Sequence, residues 1–135
     1  MQKVQKTTSL IVLSGCFLFV NSALARVGET EAQIDHRYGK PAGRWDDYVG
    51  YKKLYHWHGY NVRVTFFNNV SQREMFDKVE GGFDPHVQKY LVKFNGVGRN
   101  GIIFDETTGA FTTKEFEEKY KAARTAAWAK GDEKH

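Results

Sequence analysis

The middle of the chain alternates polar and apolar positions with a period of two, and the segments on either side repeat every three to four residues. Thr30 begins the first of these flanks, with Gln33 three residues on in the manner of a capping box, and Ile34 and Tyr38 stand four apart on one helical face. Gly39 ends that short helix and Pro41 prevents its restart. Gly43 to Gly50 is rich in glycine and charge and reads as a connecting loop carrying Trp45 and Tyr48. Lys52 to His58, Asn61 to Phe67 and Val70 to Lys78 read as three strands, broken at Gly59-Tyr60 and at the Asn68-Asn69 turn, with Val62, Val64 and Phe66 on one face.

Asp84-Pro85 starts a second helix, aspartate capping and proline in the first turn, and His86, Val87, Tyr90, Leu91 and Phe94 give it an apolar stripe up to Asn95-Gly96. Gly101 to Asp105 and Ala110 to Thr112 read as two short strands around Thr107-Thr108-Gly109. Thr112-Thr113-Lys114-Glu115 reads as another capping box, ahead of a long helix bearing Phe116, Tyr120, Ala123, Ala127 and Trp128 that Gly131 closes. The pattern predicts an α+β fold: short helices packed on one face of a three- to four-stranded antiparallel meander, with a longer C-terminal helix laid over that same face.

The start of the chain changes where such a fold would operate. Lys3 and Lys6 precede an apolar run from Leu10 to Val20, and Ala23-Leu24-Ala25 follows, the order of a secretory signal peptide cut after residue 25. The expected organisation is a leader over 1–25, one small domain over 26–131 and a frayed tail over 132–135. Periplasmic or secreted localisation follows. Leu13-Ser14-Gly15-Cys16 also fits a lipobox, so the alternative is lipidation at Cys16 and an envelope anchor; membrane contact is expected only in that case or with the leader uncut.

Charge then loses most of its meaning. The whole chain carries 20 basic and 16 acidic residues, but the leader takes away two lysines and no acids, which leaves 18 against 16 and a net charge of +2. Lys52-Lys53 and Lys119-Lys121 are short and interrupted by acids, so no nucleic-acid partner is expected. Cleavage after Ala25 leaves no cysteine, hence no disulfide.

Gly28-Glu29-Thr30, then Ile34, then Gly39-Lys40-Pro41 form the pattern G-x-T-x-x-x-[IV]-x-x-x-x-G-x-P, and "YHWHGYNVRVTFFNNVSQREM" follows as strand, turn, strand, turn, strand. Over residues 28–78 this resembles the SmpA/OmlA class of small envelope domains and the similar repeats of β-lactamase inhibitor protein. The resemblance implies a non-enzymatic module whose partner is another envelope protein.

Candidate chemistry is sparse. His56 and His58, two apart on one strand, would share a face and offer two imidazoles to a zinc or copper ion, the basis of an alternative reading as a small metal-binding or hydrolytic protein. No third ligand stands at a metal-binding spacing, and no cofactor is expected. Gly96-Val97-Gly98-Arg99-Asn100-Gly101 matches a dinucleotide fingerprint by letter only, because it follows a helix and leads to a strand. Asp46-Asp47, Asp105-Glu106 and Glu117-Glu118 are adjacent acids that point apart instead of facing each other across a cleft. Trp45, Tyr48, Tyr51 and Trp57 belong to a dense aromatic cluster, the expected partner-binding residues, since a domain this small buries only some of its rings.

Overall fold

A computed structural model describes residues 27–131; the expected leader over 1–25, with the alternative lipid site at Cys16, and the expected frayed tail over 132–135 lie outside the described residues. The elements run α1 (Glu31–Tyr38), β1 (Gly43–Asp46), β2 (Tyr51–Trp57), β3 (Tyr60–Phe67), β4 (Val70–Lys78), α2 (Pro85–Phe94), β5 (Ile102–Asp105), β6 (Ala110–Thr113) and α3 (Lys114–Ala129). All strands join one antiparallel sheet in the order β1-β2-β3-β4-β6-β5. The α+β architecture is therefore as the pattern predicts, and β1 to β4 form the meander.

Two features extend that picture. The segment read as a loop contains β1, which supplies the outer strand of the meander. The β5–β6 hairpin joins the far side through Arg73 to Met75 of β4, widening the sheet to six strands. Asn68 and Asn69 sit at φ 53° and 65°, the left-handed geometry of a tight hairpin turn.

Residues opposed across neighbouring strands share a face. Tyr55, Val62 and Phe76 form one such row, and Val64, Glu74 and Phe111 the next. Against these rows α1 sets Ile34 and Tyr38, α2 sets Leu91, and all of them belong to one buried cluster. Tyr38 packs at 5.5 Å from the Tyr55 ring and 6.4 Å from that of Phe76. Thr30 caps α1 as expected, its side chain accepting from Gln33 while the Gln33 side chain returns to its backbone. The same face holds charge: Arg37 grips buried Glu29 with two nitrogens. Burial works against the guanidinium's charge, and Glu29, then Glu74, outweigh it, so its pKa is raised.

The C-terminal helix is on the other side, contrary to the expectation that it shares a face with the short helices. Phe116 packs tilted against Phe67, whose register partner is Val70, and Tyr120 lies under the Arg73 guanidinium, whose register partner is Thr65. Its cap differs too. Thr113, the last residue of β6, is the capping residue, accepting from the Phe116 amide at 3.1 Å, while the Thr112 hydroxyl donates to the Gln72 carbonyl, and no capping box forms with Glu115.

The two sheet edges are unlike. At the start of β5 the preceding turns cover the edge, with the Gly98 amide donating to the Ile102 carbonyl at 2.9 Å and the Ile102 amide to the Arg99 carbonyl at 3.0 Å. The Gly96–Gly101 run is thus a strand-edge cover. No described segment pairs with the outer side of β1.

Candidate functional site

Strand alternation sends every second residue to the α3 side, and register sorts them into rows. The row beneath the helix is Trp45, Lys52, Thr65, Arg73, Thr112 and Ile103. It is polar, yet Lys52, Thr65, Arg73 and Thr112 are buried. The reason is Asp47, at the start of the β1–β2 turn, whose carboxylate accepts from the Thr65 hydroxyl at 2.7 Å, the Tyr120 hydroxyl at 2.9 Å and the Tyr48 amide at 2.8 Å, with Lys52 Nζ at 3.7 Å. Arg73 Nε pairs with Glu117 of the helix at 3.3 Å. So α3 is held by an acid on the sheet and an acid of its own. Burial pushes the Tyr120 hydroxyl well above the ordinary tyrosine range, with the Asp47 charge adding to it, and burial lowers the Lys52 pKa against the pull of Asp47.

One row further on, Leu54, Arg63 and Met75 lie side by side on β2, β3 and β4 and are only half-buried. Beyond them come His56, Asn61 and Asp77, with Arg63 bridging to Asp77 at 2.6 Å and the His56 ring meeting Asn61 Oδ1 at 2.9 Å. This half of the sheet is an open surface: two apolar side chains, a guanidinium and a polar border. Period-two alternation could have found it, because Leu54 and Met75 are out of phase with the buried set Tyr55, Val62 and Phe76.

The aromatic residues expected to bind a partner do not form one patch. Trp45 and Tyr48 are on the α3 side, where Tyr48 packs edge-on to Tyr120 at 5.6 Å and accepts from Trp128 Nε1 at 3.1 Å. Tyr51 and Trp57 are on the core side. Tyr51 stacks on Phe66 at 5.4 Å and donates its hydroxyl to Glu31; burial and that carboxylate raise its pKa to about 12. Trp57 packs edge-on to Tyr38 and Phe76. Trp128, by contrast, is 57 % exposed at the end of α3.

The histidines also part company. His56 is on β2, but that strand ends at Trp57, and His58 occupies the hairpin turn at φ 47° with its ring edge-on to Trp57 at 4.7 Å. They do not share a strand face. Among the described residues no group of three or more histidine, cysteine or acidic side chains is placed to hold a metal ion.

A second carboxylate cluster ties α1 to β2. Lys53 Nζ reaches Asp35 at 2.9 Å and Glu31 at 2.6 Å, and the Tyr55 hydroxyl donates to Asp35 at 2.5 Å. Hydrogen bonds from Lys53 and then Tyr51 hold Glu31 below the usual carboxylate range. Burial raises the Tyr55 pKa, and the Asp35 carboxylate raises it further. These tyrosines are proton donors fixed in structural bonds.

Comparison with protein-family models, curated proteins and solved structures finds no match to this chain. Among the described residues no helix is long and apolar enough to cross a membrane.

Proposed function

We propose that this protein is an exported, non-enzymatic interaction module of the bacterial envelope, and that it docks another envelope protein on the half of the sheet that α3 leaves open. The observation that carries the reading is the half-exposed Leu54–Arg63–Met75 row, flanked by Trp45 and bordered by His56 and Asp77. An apolar centre with an arginine and a polar rim is the composition of a protein-binding surface. Two further facts support it. The leader pattern of the sequence supports export to the envelope, and the chemistry-bearing side chains Asp47, Glu117, Glu31 and Asp35 hold helices to the sheet.

The test is a pull-down from envelope extract with the wild-type protein, a Leu54→Asp, Met75→Asp double variant and Trp45→Ala, with circular dichroism to confirm folding. The double variant should lose a partner that the wild type retains, and Trp45→Ala should weaken its capture. An identical set of captured proteins with all three would remove the open face from consideration.

A further inference from the structure

We propose that two copies of this chain pair antiparallel along β1, about a two-fold axis through Trp45, joining their sheets into one. The ladder between β1 and β2 fixes which groups are available. The Asp47 amide donates to the Gly50 carbonyl, so antiparallel alternation turns the odd-numbered residues of β1 toward β2 and the amides and carbonyls of Arg44 and Asp46 outward. On the opposite rim, Gly98 and Arg99 already occupy the Ile102 groups and leave only those of Phe104 facing outward, whereas β1 presents two successive outward residues, Arg44 and Asp46, enough for a two-fold ladder.

Side-chain charge selects the occupant. Natural sheets guard open edges with charges that repel a second edge. Here the guard has the opposite logic: Arg44 and Asp46 are both exposed, share one face, and differ in sign. Antiparallel pairing centred on Trp45 sets Arg44 of each copy opposite Asp46 of the other, so both pairs attract. The same register makes these the hydrogen-bonded pairs, engaging the outward amides and carbonyls of all four residues. The two Trp45 residues meet as the close, non-hydrogen-bonded pair on the other face, an arrangement that favours ring contact.

The side chains are already set for it. The Arg44 guanidinium lies 4.1 Å over the Tyr51 ring, and Tyr51 is itself held by Glu31. Asp46 has no ion partner among the described residues. A contact in which the same patch serves both copies closes at a dimer and does not propagate. Trp45 borders both this rim and the open face, but the pairing rests on the rim's backbone groups and paired charges and does not depend on the docking reading above.

Sedimentation equilibrium of protein purified after expression of the full-length chain, at concentrations up to about 100 µM, tests the pairing. The wild type should associate. Arg44→Asp and Asp46→Arg should each weaken the dimer roughly tenfold, since both symmetric pairs turn repulsive at once. The double variant Arg44→Asp, Asp46→Arg restores both attractions and should recover the association; circular dichroism shows that each variant is folded, and Arg44→Ala and Asp46→Ala replace a reversal that is not. Met75→Asp alone, on β4 and three strands in from β1, leaves self-association unchanged, which separates this contact from the hetero-docking face. A wild type that stays monomeric throughout, single reversals without effect, or a double variant as weak as the singles overturns the proposal.

Discussion

At the scale of single residues, backbone geometry sets constraints as hard as any side-chain contact. Gly50 closes the β1–β2 turn at φ +72°, and a Cβ there would lie 2.0 Å from the Phe66 carbonyl oxygen. Backbone cannot yield as a side-chain tip can. Gly50→Ala should therefore cost about 2–4 kcal/mol, read as a lower urea midpoint, whereas Gly59→Ala at φ +78° with nothing within 4 Å should cost only about 1 kcal/mol. Residue-scale signals were legible where local chemistry decides: Thr30 with Gln33, and Asp84 before Pro85, are caps in the fold as in the sequence. His58 was not, because nothing in the letters says that the strand stops at Trp57 and that the turn takes His58 with Gly59.

Elements differ in how they are secured. The short helices bury Ile34, Tyr38 and Leu91 in an aromatic and aliphatic core, while α3 buries Phe116, Glu117 and Tyr120 against a polar row. Removing one hydroxyl should loosen it. Tyr120→Phe takes away the donor to Asp47 and leaves a buried carboxylate with one partner fewer, a loss of about 1–2 kcal/mol. Hydrogen exchange is expected to quicken roughly tenfold in α3 and to stay unchanged in β3. The side chosen by α3 was illegible for the same physical reason. Lys52, Thr65 and Arg73 alternate as solvent-facing residues do, so the sequence gives no sign that a layer covers them. Strand β1 escaped notice because four residues, two of them charged, carry too little alternation to outweigh the composition of a loop; its partner β2 determines its conformation.

Across the whole molecule, three of the seven tyrosines share one titration behaviour. Tyr51 has its pKa raised from 10.0 to about 12, and those of Tyr55 and Tyr120 are raised as well, in each case by burial first and a bonded carboxylate second. Lys53 is raised too, its bonds to Glu31 and Asp35 outweighing burial. Above pH 10 the unfolded chain releases protons that the folded chain keeps, so stability falls as pH rises through that range. Lys52, lowered by burial, opposes the trend with one group against four. Absorbance at 295 nm should show a delayed tyrosine fraction that ionises together with unfolding, and a smooth titration of all seven near pH 10 would contradict these bonds.

The residues that enter the described fold are bonded directly to β4. The Gly28 amide donates to the Ser71 carbonyl and the Ser71 amide to the Glu29 carbonyl, each at 2.7 Å, while the Ser71 hydroxyl, fully buried, accepts from both Gly28 and Glu29. Tension applied ahead of Val27 would arrive on β4 in the interior of the sheet, so a pulled domain would transmit strain to one of its central strands instead of swinging on a loose leash.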